Sequence, residues 1–254
     1  MITLLSPSKK LNFKHQDAVS VFTQCDFIES AQELVNQAKN LTAQDLKDLM
    51  KISDSLADLN KERFDNWSLP FNQENSKQAI LAFDGGVYSG LEAHTFNQKD
   101  LDFAQDHLRI LSGLYGVLKP LDLIQPYRLE MGTKFENAKG KNLYDFWSHE
   151  VTNNLNKNIK KHDNKTIINC SSNEYFNVIN QNNLEGNILN TVFKEYREGE
   201  LKFISFNAKK ARGLLAKFVI NNRIASKNDL KDFNLDNYKF DMSLSDESTF
   251  VFTR

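Results

Sequence analysis

Five short β-branched or apolar runs along the chain end abruptly at small or polar residues. Such runs are typical of buried strands that lead into polar loops. The runs cover residues 2–5, 80–83, 108–111, 166–168 and 202–206. If they belong to one parallel sheet, their carboxyl ends meet at one edge, where open α/β sheets bind ligands. The residues expected to converge at that edge are Ser6, Lys9, Asp84, Ser112, Ser171 and Lys209.

Helical periodicity alternates with these runs. Apolar residues at i, i+3 and i+4 spacing predict an amphipathic helix over residues 27–41, and Thr42 with Asp45 resembles a capping box that opens a second helix. Further helices are predicted over residues 99–108, 145–160 and 208–222, and a terminal hairpin is predicted from residues 238–240 and 249–252. This alternation predicts one α/β domain over residues 1–254 with a mixed sheet, flanking helices and a helical elaboration at about residues 20–75.

Composition is typical of a soluble globular protein. Of the 254 residues, 40% are hydrophobic and 26% are charged. The only two cysteines, Cys25 and Cys170, exclude a disulfide framework and favour a reducing, cytoplasmic setting. No apolar stretch approaches the roughly 20 residues that cross a bilayer, and the first apolar run is too short for a signal peptide. We therefore expect no membrane partner.

Residues 112–132 are rich in glycine and proline, which interrupt helices and strands. The segment holds three of the ten glycines and two of the four prolines, which favours a rigid, irregular conformation. Fixed polar groups lie among them, namely Tyr115, Tyr127, Arg128 and Glu130. Segments of this kind often carry function, although a long ordered connection between core elements would have the same composition.

Basic residues are unevenly distributed in a chain whose net charge is −1. Residues 201–223 contain six basic residues and no acidic one, as expected where one face of a protein meets phosphates. In the helix predicted over residues 208–222, Lys209, Lys210 and Arg212 lie outside the apolar stripe. The alternative is a solvated face on a core helix.

Three polar loops supply further candidates. Lys9 and Lys10 follow the first run and suit phosphate contact, although their loop lacks the spacing of a P-loop. Asp84 in a glycine-rich turn and Glu174 after the fourth run could act as acid or base, or contact a ligand. No GxSxG elbow surrounds a serine, and the five histidines form no metal-binding motif. We expect neither a metal nor another cofactor.

Four segments, taken together, resemble the YaaA-type peroxide-stress family of bacterial proteins. They are LLSPSKKL, ILAFDGGVYSGL, LSGLYGVLKPLDLIQPYRLEMG and ISFNAKKARGLLAKFVI. The resemblance implies a cytoplasmic protein that limits oxidative damage to DNA and protein and is associated with control of free iron. It also implies a single unusual α/β domain with a positively charged cleft, DNA binding and a helix-hairpin-helix-like element. The best match to that element is residues 112–116, where the two glycines are three apart instead of two.

These observations lead to the hypothesis of a DNA-binding protein of the peroxide stress response that is linked to lower free iron. The side chains expected to neutralise phosphates are Lys9, Lys10, Arg128, Lys209, Lys210 and Arg212. Tyr115 or Tyr127 would stack on an exposed base, which favours distorted or partly single-stranded DNA as the partner.

Two other functions stay open. The chain could be an enzyme that acts on nucleic acid or a nucleotide, with Asp84 or Glu174 as acid or base and the lysines as substrate clamps or imine-forming nucleophiles. It could also be an adaptor whose basic face binds an acidic protein. Competition by DNA would distinguish the adaptor from a DNA-binding protein.

Overall fold

Five parallel strands form the centre of the sheet in the computed structural model, which describes residues 1–14 and 19–254. The strands are β1 (Ile2–Leu5), β2 (Lys10–Leu11), β3 (Lys77–Gln78), β4 (Phe83–Asp84), β5 (Leu108–Ser112), β6 (Gly116–Leu118), β7 (Leu123–Ile124), β8 (Thr166–Cys170), β9 (Asn187–Arg197), β10 (Glu200–Lys202), β11 (Lys239–Phe240) and β12 (Thr249–Thr253). The helices are α1 (Ile28–Lys39), α2 (Ala43–Met50), α3 (Asp54–Asn66), α4 (Ala79–Ala82), α5 (Gly86–Leu91), α6 (Gln98–His107), α7 (Leu143–Ile159), α8 (Asn173–Phe176) and α9 (Ser205–Asn221). Short 3₁₀ turns cover Ala93–Thr95, Gln181–Asn183, Lys227–Asp232 and Leu235–Asn237. His15, one of the five histidines, lies outside the described residues.

The main sheet has the strand order β11-β12-β9-β8-β1-β5-β6, with β10 paired to β9. Strands β12, β9, β8, β1 and β5 are parallel, whereas β11, β10 and β6 pair antiparallel with their neighbours. Every residue of β1, β5 and β8 is buried, because helices cover both faces of the central strands. The prediction of a single α/β domain with a mixed sheet and flanking helices is therefore confirmed.

Three of the five predicted strands are confirmed, namely those at residues 2–5, 108–111 and 166–168. The prediction for residues 80–83 is wrong except at its last residue, because Ala79–Ala82 form the short helix α4 and only Phe83 starts a strand. A short, fully buried apolar run has the same sequence pattern in a helical turn and in a strand.

The strand predicted over residues 202–206 is also wrong. Strand β10 ends at Lys202, and α9 begins at Ser205. The apolar residues Phe203 and Phe206 of this run are exposed, so the run does not pack into the core as a buried strand would.

The predicted helices and the terminal hairpin are confirmed. Helix α2 begins with the expected capping box, in which Thr42 accepts a hydrogen bond from the backbone of Asp45 and Asp45 accepts one from the backbone of Thr42. Strands β11 and β12 pair antiparallel, with Phe240 opposite Phe252. Helix α9 begins three residues earlier than its periodicity indicated.

Helices α5 and α9 cross in direct backbone contact at two glycines. A Cβ atom on Gly213 would overlap the carbonyl oxygen of Val87, and one on Gly90 would overlap that of Lys210. The missing side chain of Gly213 therefore admits another helix and leaves no room for a phosphate. This crossing holds the first turns of α9 against the loop that follows β4.

Candidate nucleic-acid interface

The carboxyl ends of β1, β5 and β8 lie at one edge of the sheet, which we call the carboxyl edge. Leu5, the last residue of β1, pairs with Ile110 of β5 on one side and with Cys170 of β8 on the other. The expected convergence of Ser6, Ser112 and Ser171 is therefore confirmed. Open parallel sheets bind ligands at this edge, and here serine hydroxyl groups lie at it.

Hydrogen bonds tie these loops together. The hydroxyl oxygen of Ser6 accepts a hydrogen bond from the backbone N–H of Ser172 at 2.9 Å. The phenol of Tyr88 in α5 donates to the carbonyl oxygen of Ser6 at 3.1 Å. The loop after β1 is therefore fixed against both the loop after β8 and helix α5.

Asp84 and Lys10 form an ion pair beside this edge. Strand β2 pairs with β4 so that Lys10 lies opposite Asp84, and their charged atoms are 2.6 Å apart. The hydroxyl of Ser8 donates to the carbonyl oxygen of Asp84. The ion pair brings a candidate acid and a candidate phosphate ligand together, and each offsets the charge of the other.

Lys9 and Arg128 share one carboxylate, that of Glu130. The Lys9 Nζ lies 3.0 Å from Glu130 Oε1, and Arg128 donates to the same oxygen through Nε at 3.2 Å and Nη2 at 3.0 Å. Burial lowers the pKa of Arg63 in α3, and the positive charge of Arg128 lowers it further, against the effect of Glu62. We call Lys9, Arg128 and Glu130 the Glu130 cluster; it holds two cations and one anion.

The cations of α9 differ in how their charges are balanced. Lys210 pairs with Asp236 at 3.3 Å, and Lys217 pairs with Glu92. Within residues 1–14 and 19–254, no carboxylate lies within 4.0 Å of the cationic group of Lys209 or Arg212. These two side chains therefore carry positive charge that no ion pair in the described chain offsets.

Arg212 lies partly beneath the surface near the carboxyl edge. Burial lowers its pKa, and the neighbouring Cys170 at the end of β8 acts in the opposite direction. Its buried Nε has no hydrogen-bond partner in the part of the chain that the structure describes. An unsatisfied guanidinium donor costs free energy, and an anion nearby would reduce that cost.

Lys209 is exposed and lies beside Gly86, because a Cβ atom on Gly86 would be 3.2 Å from the Cβ atom of Lys209. Gly86 follows Asp84 by two residues. Lys209 therefore lies beside the glycine-rich turn that contains Asp84. This agrees with the prediction that Lys209 and Asp84 lie near each other.

The predicted stacking of Tyr115 or Tyr127 on a base is wrong, because both rings are buried. Tyr115 accepts hydrogen bonds from the indole of Trp67 at 3.0 Å and from the backbone N–H of Gln125 at 3.1 Å. Tyr127 shares a 2.7 Å hydrogen bond with the hydroxyl of Ser112. Burial raises the pKa of both phenols. The two rings are core residues with internal partners for their hydroxyl groups.

The proposed match to a helix-hairpin-helix element at residues 112–116 is also wrong. Ser112 pairs with Gly116 across the β5–β6 hairpin, so strands and not helices flank this turn. Gly116 has a positive φ of 67° and packs against the Trp147 ring. Most of residues 112–132 therefore connects core elements, whereas Arg128 and Glu130 reach the candidate interface.

Glu174 lies in α8, which follows the loop after β8. Its Oε1 accepts a hydrogen bond from the backbone N–H of Gly132 at 3.1 Å, and its side chain is exposed. Gly132 is two residues beyond Glu130, so Glu174 lies next to the segment that carries the Glu130 cluster. Asp84 contacts residues 8–10 instead, so the two candidate carboxylates occupy different loops.

Two further structural findings concern the whole described chain. In residues 1–14 and 19–254, no three His, Cys, Asp or Glu side chains are grouped so that they could hold a metal ion. Over the same residues, no helix combines the length and the apolar character that a membrane span requires.

Known proteins match the chain along nearly all of its length. Residues 1–244 match the family described as peroxide stress protein YaaA. A UPF0246 protein of Saccharophagus degradans is 49% identical over 254 residues, which is 100% of this chain and 99% of the relative. UPF0246 proteins of Aliivibrio fischeri and Paraburkholderia phytofirmans are 47% and 48% identical, over 100% of this chain and 98% of each relative. The chain therefore belongs to the YaaA family of peroxide stress proteins.

Proposed function

We propose that the protein binds DNA at the carboxyl edge during peroxide stress and thereby limits damage to DNA. The observation that carries this proposal is the positive charge of Lys209 and Arg212, which no carboxylate in the described residues offsets; the two cations of the Glu130 cluster, which share one carboxylate, add to it. Phosphate groups are the ligands that such cations favour, and their contacts supply most of the affinity of a protein for nucleic acid. Together these groups would form the positively charged cleft that the family resemblance implies.

The candidate phosphate ligands differ in the role proposed for them. Lys9 and Lys209 are exposed and can reach a phosphate directly, and Arg212 would approach one from a partly buried position. Arg128 would act together with Lys9 around Glu130. Lys10 and Lys210 would contribute less, because each is ion-paired with an aspartate, whereas Lys9 shares the single carboxylate of Glu130 with Arg128.

The proposal extends to the partner and to iron. We propose distorted or partly single-stranded DNA as the preferred form, with aromatic side chains other than Tyr115 and Tyr127 at the bases.

Lower free iron and reduced damage to protein would follow indirectly from action on DNA. If so, a variant that no longer binds DNA also loses its effect on free iron, as measured by electron paramagnetic resonance of chelated iron in peroxide-treated cells.

A binding experiment tests this proposal. Fluorescence anisotropy on duplex, bulged and single-stranded DNA would compare the intact protein with K9A/K209A and with K160A/K161A. The control removes two exposed lysines at the end of α7, next to the amino ends of the parallel strands. We expect K9A/K209A to bind at least tenfold more weakly at 100 mM salt, and the control to bind within about twofold of the intact protein. Equal affinities for the two variants would contradict the proposal.

An enzyme acting on nucleic acid is the second candidate, favoured by the exposed carboxylate of Glu174 beside the Glu130 cluster. After binding, the DNA would be run on a denaturing gel. Altered DNA with the intact protein, and unaltered DNA with E174Q or with D84N, would identify the carboxylate that acts as acid or base. An adaptor would bind an acidic protein that DNA fails to displace.

A further inference from the structure

Strand β9 is much longer than its neighbour β8 and extends beyond the carboxyl edge. Their pairing ends with Asn190 opposite Asn169, whereas β9 continues for seven more residues to Arg197. At roughly 3.3 Å per residue, this extension spans about 23 Å. Strand β12 accompanies it as far as Lys194, and β10 folds back along it from Glu200 to Lys202. We call residues 194–203 the arm.

Three exposed aromatic side chains lie on the arm and at the start of the helix that follows it. Tyr196 is 60% exposed, Phe203 is 54% exposed and Phe206 is 76% exposed. Tyr196 is opposite Leu201, so these two side chains lie on one face of the β9–β10 ribbon, and Phe203 follows directly after the end of β10. Aromatic side chains are ordinarily the largest contributors to a buried core, so three exposed ones in this unit point to a partner.

The charges of the arm balance, since residues 194–203 hold three basic and three acidic side chains. Arg197 contacts Glu195 at 2.7 Å, and Lys202 lies 3.6 Å and 3.4 Å from Glu198 and Glu200. Immediately after the arm the balance changes. Lys209 follows Phe206 by three residues on α9, the spacing of neighbours on one helix face, and no carboxylate in the described chain pairs with it.

We infer that Phe203 and Phe206, with Tyr196, form a platform on which unpaired bases of a nucleic acid stack. Bases are uncharged and aromatic, which suits an arm with balanced charges, while phosphates are anionic, which suits Lys209 next to it. The platform supplies the base contacts that the buried Tyr115 and Tyr127 cannot make. This inference rests on the proposed DNA binding and specifies which form of DNA is favoured and by which residues.

The experiment compares single-stranded and duplex binding in the full-length protein. The probes are a 20-nucleotide single strand that contains 2-aminopurine and a 20-base-pair duplex, and the readouts are anisotropy and quenching of 2-aminopurine fluorescence. The variant is F203A/F206A. The matched control is M242A/L244A, which removes two other exposed apolar side chains, 82% and 43% exposed. All four substituted side chains are exposed, so circular dichroism should show that both variants fold.

We expect F203A/F206A to bind the single strand roughly tenfold more weakly or worse, to lose the quenching, and to bind the duplex within about twofold of the intact protein. The control should change neither affinity. Unchanged single-strand binding by F203A/F206A, or equal loss for both probes, would overturn the platform while leaving DNA binding intact. Failure of the intact protein to bind either probe would overturn the proposed function as well. Self-association that disappears in F203A/F206A, without an effect on the single strand, would instead identify a protein interface.

Discussion

At the scale of single residues, the sequence does not reveal which polar side chains of residues 112–132 are buried in the core and which lie at the surface. The tyrosine side chain is apolar along its ring and polar at its tip, so it suits both a core and a base-stacking site. Which applies to Tyr115 depends on Trp67, a partner 48 residues away in the chain. Arg128 and Glu130 are fixed polar groups as predicted, because the Arg128 guanidinium donates two hydrogen bonds to the Glu130 carboxylate.

The buried hydroxyl of Tyr115 should matter for stability. The substitution Tyr115→Phe removes the acceptor for the Trp67 indole and for the Gln125 N–H, and leaves two buried donors unsatisfied. We expect the free energy of unfolding to fall by about 2 kcal/mol, measured by urea denaturation. Tyr196→Phe is the control, since Tyr196 is exposed, and should change it by less than about 0.5 kcal/mol. Equal losses would show that the internal hydrogen bonds of Tyr115 contribute nothing.

The pKa of the Asp122 side chain should be unusually high for an aspartate. Burial raises its pKa to about 6, against hydrogen bonds from Thr23 and the backbone of Lys119. Because the pKa is higher in the folded state than in the unfolded state, protonation stabilises the fold. This stabilisation is complete below about pH 4, the pKa of an unperturbed aspartate, and is lost as the pH rises through 6. The side-chain carboxyl carbon, followed by NMR, should show a midpoint near pH 6; a midpoint near 4 would contradict this.

At the scale of elements, the sequence predicts those helices whose signals come from residues close together in the chain. The capping box of α2 and the periodicity of α1 identified those helices because both signals lie within a few residues. The run at 202–206 was misinterpreted because Phe203 and Phe206 are as apolar as core residues but face solvent. The sequence alone does not show why residue 213 is a glycine, because Val87 contacts it only in the tertiary structure.

The contact between α5 and α9 should tolerate no side chain at Gly213. In an exposed helix, replacing glycine with alanine raises stability by about 1 kcal/mol. Here the new methyl group would overlap the Val87 carbonyl, so we expect Gly213→Ala to lower the free energy of unfolding by about 2 kcal/mol. Asn221→Ala, at the exposed end of α9, should change it by less than about 0.5 kcal/mol. A stabilised Gly213→Ala protein would contradict the close crossing, and urea denaturation measures both variants.

At the scale of the whole molecule, the order of the strands determines where function can lie. The apolar runs predicted three central strands, but their parallel pairing and the 23 Å overhang of roughly seven residues of β9 are properties of the assembled sheet. The sheet brings Ser6, Ser112 and Ser171 together from positions more than 50 residues apart.

The central claim is that phosphates bind at the carboxyl edge, and the salt dependence of duplex binding tests it most directly. The logarithm of the affinity is measured against the logarithm of salt concentration for the intact protein, K9A/K209A and K160A/K161A. Both variants lose the same net charge, so only the position of the charges differs. We predict that the slope becomes shallower by about 1.8 in K9A/K209A, as expected for two lost phosphate contacts, and stays unchanged in K160A/K161A. Identical slopes for the two variants would contradict the claim.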